Sequence, residues 1–184
     1  SDWAGRYPVV YAAPEKRTMK ARDLGDGLIA IDDFLSAVEC AGFIAMGERQ
    51  GFEKVTAAAS ENEIARPGAR DNDRLTLDDT DLAGRLWARA APALPEIDGA
   101  VPSAFNPRFR IYRYDPGQRF TRHRDGIVRL DGMFSLLTVL FYLNDDYEGG
   151  ETRFIDLPVA WRGATGQAFL FPQRALHEGA AVTR

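Results

Sequence analysis

The second half of the chain is a succession of short runs, each closed by a turn signal, and that pattern leaves few folds open. Residues 108–114 alternate: Phe109, Ile111 and Arg113 fall on one face, Arg110, Tyr112 and Tyr114 on the other. Pro116-Gly117 is a turn signal. Residues 134–143 read as one long apolar strand, closed by Asn144-Asp145-Asp146. Gly149-Gly150 then turns the chain into residues 151–155, and 159–161, 167–171 and 175–182 read as further short strands. Many short strands at turn-punctuated spacing predict a sandwich or barrel.

The first half has a different period. Residues 1–27 hold Gly5, Pro8, Pro14, Gly25 and Gly27 among scattered charges and read as an N-terminal arm. Residues 28–31 read as a short strand. Ser36, with Glu39 three positions later, is a capping signal for a helix over 37–50, with Val38, Ala41, Ile44 and Ala45 as its apolar stripe. Residues 52–56 and 75–77 read as short strands. Between them, residues 60–74 are polar, contain Pro67 and Gly68, and read as a long loop suited to covering or binding something. Asp78-Asp79-Thr80 caps a second helix over about 81–91, with Leu82, Leu86 and Ala90 inward and Pro92 at its end. Helices first and strands after predict a mainly β protein with flanking helices packed on one side. One catalytic domain over 28–184 is expected, with helical support at about 36–91 and a β core at about 105–184.

Composition excludes some functions. The net charge of -4 argues against a nucleic-acid partner. No apolar run approaches the roughly 20 residues that span a bilayer, so no membrane partner is expected. Cys40 is the single cysteine, so no intramolecular disulfide can form, which fits a reducing, cytoplasmic setting. Its apolar neighbours mark it as a small buried residue.

The two histidines of the chain both fall in one constellation. His123 and Asp125 form a His-X-Asp pair, and on an extended strand residues i and i+2 share a face. His177 follows in Leu176-His-Glu-Gly179. Two imidazoles and one carboxylate are the ligand set of non-heme Fe(II) oxygenases, with positions left open for oxygen and a co-substrate. The same set can hold catalytic zinc. Peptidase-type zinc sites place two histidines on one helix, whereas the close pair here is on extended chain, which favours iron. A 2-oxo acid bound beside the metal needs a cation for its far carboxylate and hydroxyl donors nearby. Thr138, Leu140 and Tyr142 share one strand face, and Tyr114 shares another with Arg110 and Tyr112. Tyr114 and Tyr142 are expected to line the co-substrate pocket; the alternative is that both are packing residues with their hydroxyls at the rim.

The segments Tyr114-Asp-Pro-Gly-Gln-Arg-Phe120, His123-Arg-Asp125, Phe141-Tyr-Leu-Asn144, Gly149-Gly-Glu-Thr152 and Leu176-His-Glu-Gly179 occur in an order that resembles the prolyl 4-hydroxylase-like branch of the 2-oxoglutarate/Fe(II)-dependent dioxygenases. The resemblance covers about residues 105–184. It implies a double-stranded β-helix, a jelly roll related to the cupins, with two or more N-terminal helices packed on one sheet. It implies Fe(II) on His123, Asp125 and His177, 2-oxoglutarate beside Tyr114 and Tyr142, and O2 as oxidant, with ascorbate as a reductant. The implied reaction is hydroxylation of an unactivated C–H bond with release of succinate and CO2, a prolyl residue in a protein being one substrate. Because Asp125 is present, hydroxylation is expected rather than halogenation.

The family's basic anchor for the far carboxylate falls just beyond Arg184. Arg184 itself lies at an odd offset from His177, so a regular strand would turn it to the other face and only a bulge would bring it back. The natural chain is expected to continue; otherwise Arg110 is the alternative anchor. For the substrate, which is a peptide, a protein or a small molecule, Arg70, Asn72 and Arg74 in the long loop and Arg124 between the two metal ligands are the candidates. Arg124 should point away from the metal on a regular strand. Two other functions use the same residues: a cupin-like binding module without turnover, and a zinc-dependent hydrolase.

Overall fold

The computed structural model describes residues 19–55, 70–97, 99–130 and 132–184. Most of the N-terminal arm, and residues 60–69 of the expected loop, lie outside them.

The elements in chain order are β1 (Lys20–Asp23), β2 (Ile29–Asp32), α1 (Ala37–Gln50), β3 (Glu53–Lys54), β4 (Asp73–Asp78), α2 (Thr80–Ala90), β5 (Arg108–Arg113), β6 (Phe120–His123), β7 (Arg129–Leu130), β8 (Met133–Phe134), β9 (Leu137–Phe141), β10 (Thr152–Phe154), β11 (Ala160–Trp161), β12 (Ala168–Pro172) and β13 (His177–Gly179). Two four-stranded antiparallel sheets make the frame, in the orders β1-β2-β12-β9 and β11-β10-β13-β6. A three-stranded sheet, β3-β4-β5, and the hairpin β7-β8 complete the set. β1 therefore pairs within the stretch that the sequence assigns to the arm.

Alternation along the first sheet sorts its side chains into two cores. Ile29, Ile31, Ala168 and Leu170 face the helices, where they meet Phe34, Cys40, Phe43, Met46, Leu82 and Leu86. Leu28, Ala30, Phe169 and Phe171 face the opposite way and pack with Phe154, Leu140, Tyr142 and Trp161 from both sheets. The second core fills the interior of the β-sandwich.

The helix α1 begins where the sequence places it. Ser36 Oγ accepts from the Glu39 amide at 2.9 Å, and Glu39 accepts from the Ser36 amide at 2.8 Å. Glu39 does more than cap. Its carboxylate takes Arg89 of α2 at 2.8 Å, and the same guanidinium donates to the Phe34 carbonyl at 2.7 Å. One buried carboxylate thus ties the start of α1 to α2. We expect Ser36→Ala to cost about 1 kcal/mol. Glu39→Ala should cost more, about 2–3 kcal/mol, because it also strands Arg89 in a partly buried place. Denaturant midpoints of the two variants decide this; equal losses would mean that the pair with Arg89 adds nothing.

Three expectations need correction. The buried stripe of α1 is Cys40, Phe43, Met46 and Gly47, whereas Val38, Ala41, Ile44 and Ala45 face solvent. Two apolar stripes coexist on this helix, and the one carrying the large aromatic ring wins the core. The long strand expected over 134–143 is broken between β8 and β9. Ser135 is pulled out of line: its amide and hydroxyl bond back to Val128 and to Gln173. The expected loop 60–74 does not extend to its end, since Asp73 and Arg74 already belong to β4 and Arg70 bridges to Phe120.

Gly166 fixes the join between helix and sheet. Its carbonyl accepts from the Leu35 amide at 2.8 Å, and its φ of 82° is one that glycine adopts freely. A Cβ there would overlap the Leu35 carbonyl oxygen.

Candidate metal centre

β6 and β13 are neighbours, and their pairing sets His123 directly opposite His177. The two rings lie 4.3 Å apart between centroids. Both imidazoles are oriented alike: Nδ1 of His123 meets the Thr121 carbonyl at 2.8 Å, and Nδ1 of His177 meets the Ala175 carbonyl at 3.0 Å. A carbonyl can only accept, so each Nδ1 carries a proton, and each ring in its neutral form therefore offers the Nε2 lone pair to a metal.

Asp125 is the third member, and it departs from the strand argument. β6 ends at His123, so Asp125 lies in the loop beyond it. Its carboxylate still reaches the histidines, Oδ1 at 3.6 Å from His123 Nε2 and Oδ2 at 3.8 Å from His177 Nε2. Ligand atoms of all three residues lie within 4.8 Å of one another. The donor chemistry, two neutral imidazole nitrogens and one anionic oxygen on one side of a common point, fits Fe(II). Electrostatics agree. Burial opposes charge on Asp125, but hydrogen bonding with His123, the proximity of His177 and the Thr138 hydroxyl outweigh it and hold the carboxyl below its ordinary value. Burial pushes His177 below the ordinary histidine value, and His123 adds to this against the opposing pull of Asp125.

Phe120 also faces the centre. Between its pairing with Gly179 and that of His123 with His177, β6 has one more residue than β13. Such a bulge re-aims side chains. It brings Phe120 to the same side as His123, and their rings stack at 3.4 Å between centroids and 15° between planes. The Arg70 guanidinium lies 4.4 Å from the Phe120 ring centroid and also faces Tyr112.

The other expected site residues are distributed as follows. Tyr142, just past the end of β9, packs on the interior core, with its hydroxyl 3.3 Å from Thr152 Oγ1. Tyr114 is half-buried beside Tyr112, and burial raises its phenol well above the ordinary range. Asn72 is fully buried and donates to the Asp73 carbonyl at 3.0 Å. Arg74 sits opposite Tyr112 on the β4–β5 pair. Arg124 is exposed and donates to the Arg174 carbonyl. Arg110 is exposed, and Arg184 pairs with Glu148 at 2.7 Å. Thr138 and Phe120 were not singled out from sequence. Thr138 had a readable signal, as a hydroxyl residue within an apolar run and on the Tyr142 face; Phe120 had none, because the bulge is invisible in the sequence.

Comparison with known proteins points the same way. Residues 109–184 match the 2OG-Fe(II) oxygenase superfamily. The match falls on the β core and marks that part of the chain as similar to the superfamily. A PKHD-type hydroxylase of Caulobacter vibrioides is 31% identical over 129 residues, 63% of this chain and 56% of the relative. The chain thus spans just over half the length of that relative. Among solved structures, the viral collagen prolyl hydroxylase of Paramecium bursaria Chlorella virus-1, in its 2OG complex, is similar with a TM-score of 0.58 and 21% identity, over 86% of this chain and 90% of the other. A Pseudomonas putida prolyl-4-hydroxylase gives 0.58 and 20%, over 87% and 88%. The fold shared with these structures is the expected double-stranded β-helix. The match weighs against both the zinc hydrolase and the binding module without turnover.

Proposed function

We propose that the protein is an Fe(II)- and 2-oxoglutarate-dependent hydroxylase whose candidate substrate is a prolyl residue in a peptide or protein. The observation that carries this reading is the convergence of two imidazole Nε2 atoms and one carboxylate, with both Nδ1 atoms tied to carbonyls. His123, Asp125 and His177 would hold Fe(II) on one side and leave its other positions open. When bound, the metal would bring O2 and 2-oxoglutarate together, so that a C–H bond becomes C–OH while the 2-oxo acid leaves as succinate and CO2.

The chain's own part is positioning and exclusion of water. The pairing of β6 with β13 holds the two imidazoles side by side, and the carbonyls of Thr121 and Ala175 keep their tautomers. Phe154 and Phe171 pack against His177, with ring centroids at 6.0 and 4.7 Å, and shield it from solvent. Tyr142, at the sandwich interior, and Tyr114, beside Tyr112, would supply phenol groups for a bound 2-oxo acid. Burial keeps both phenols protonated, so they act as donors. The prolyl hydroxylases among the similar structures support the substrate class. Arg70, on the Phe120 ring next to His123, is the best placed of the four substrate candidates. A cytoplasmic location is part of the same reading; among the described residues, no helix is long and apolar enough to cross a membrane.

The test is succinate release. Purified protein with Fe(II), 2-oxoglutarate, ascorbate, O2 and a proline-rich peptide should produce succinate together with a peptide heavier by one oxygen. Succinate without peptide oxidation would keep the reaction class and remove the prolyl substrate. No succinate from iron-loaded protein would refute the reaction class.

A further inference from the structure

Of the three ligand residues, Asp125 has the weakest hold from its own backbone. His123 and His177 stand on paired strands, and each ring is tied through Nδ1. Asp125 lies in the loop past the end of β6, so something outside the loop must fix its rotamer. The contact that does so comes from β9. Thr138 Oγ1 donates to Asp125 Oδ2 at 2.5 Å. Thr138 stands on β9, the edge strand of the first sheet, where it is paired with Phe171 of β12. A β-branched side chain is stiff at χ1, so the hydroxyl comes from a fixed direction. Resting on the reading of this centre as an Fe(II) site, we infer that Thr138 is a positioning residue that makes Asp125 bind through one oxygen only.

The argument is one of lone pairs. A carboxylate that turns both oxygens to one metal fills two coordination positions. The hydroxyl takes a lone pair of Oδ2 on the side towards His177, which fixes the rotamer, weakens Oδ2 as a donor and favours Oδ1, the oxygen nearer His123, for the metal. One carboxylate oxygen and two imidazoles then fill three positions. That leaves open the positions which a 2-oxo acid and O2 need. A ligating carboxylate held by an outer hydrogen bond is also better oriented for binding, and loss of such a partner costs about 10–100-fold in metal affinity.

The experiment is an anaerobic Co(II) titration, read by visible absorption, on wild type, Thr138→Val, Thr138→Ser and His177→Ala. Valine keeps the shape of threonine and removes the donor, whereas serine keeps the donor. The valine variant should bind Co(II) about 10–100-fold more weakly, with a changed d–d spectrum. The serine variant should restore both the affinity and the spectrum. A valine variant with wild-type affinity and an unchanged spectrum would overturn the inference, and so would a serine variant as impaired as valine. If wild-type protein binds no Co(II), or binds it as well after His177→Ala, the metal site itself falls and the inference with it. That failure is distinct from wild-type binding that depends on His177 but ignores Thr138. The same thermal melt for apo wild-type and valine proteins separates positioning from misfolding.

Discussion

Asp125→Ala should give a folded protein that no longer holds Fe(II) and makes no succinate. Among the described residues the carboxylate is the one anionic donor in the centre, and it stands between two imidazoles that bind a metal only as neutral rings. Its charge is held in place against burial by His123, His177 and Thr138, which means that the surroundings are built for the ionised form. Without it, two imidazoles face a doubly charged metal with no compensating charge. The loss should exceed that from removing a supporting hydrogen bond, so about 100-fold or more in metal affinity is expected. The apo protein should not suffer in the same way. Asp125 lies in a loop, and removing a partly buried charge relieves desolvation as well as costing contacts. Calorimetric titration with Fe(II) under anaerobic conditions, paired with a thermal melt of the apo protein, separates the two effects. Treating wild type with a chelator should abolish succinate release, and Fe(II) should restore it. An Asp125→Ala protein with wild-type iron content would exclude the three-residue centre.

The cluster of His123, Asp125 and His177 was readable because it depends on residue type and on two simple geometric facts. With two histidines in the chain, His123 and His177 had no competitors, and His-X-Asp needs only local proximity. The helix caps at Ser36 and Asp79 were readable for the same reason, since a cap is a contact within three residues. What failed involved choices between distant alternatives. The stripe Val38, Ala41, Ile44 and Ala45 has the right spacing, yet the sheet accepts Cys40, Phe43 and Met46 instead. No local rule ranks the two faces, because the choice depends on which cavity the sheet leaves. The break at Ser135 depends on Gln173, far along the chain, and the bulge in β6 depends on its register with β13. The bulge matters most for function, because it turns Phe120 onto His123 and, through the bridge with Phe120, carries Arg70 to the same place.

Phe171→Ala should be the most damaging single change in the sandwich interior, and it should strike the metal centre as well. Phe171 is fully buried. Its ring packs edge to face on Phe154 at 5.2 Å and lies 5.8 Å from Phe169. It also meets His177 at 4.7 Å, and its backbone pairs with Thr138. Truncating a buried phenylalanine costs about 3–5 kcal/mol, from lost burial plus the cavity left behind. For a domain of this size each kcal/mol lowers Tm by about 2–4 °C, so a fall of roughly 10 °C is expected. Against a total stability of about 5–15 kcal/mol the protein should still fold in the cold. The second effect follows from the first. His177 would lose the ring that holds its plane, and Thr138 would lose a neighbour on the strand that aims it at Asp125. Bound metal stabilises only the conformation in which all three ligands converge. The rise in Tm on adding Co(II) should therefore be smaller for Phe171→Ala than for wild type. A Phe154→Ala variant gives the contrast. It damages the same core, but its ring centroid is farther from His177, so it should lose stability with less loss of the metal-induced rise. Equal metal-induced shifts in wild type and Phe171→Ala would show that the core and the centre are energetically separate.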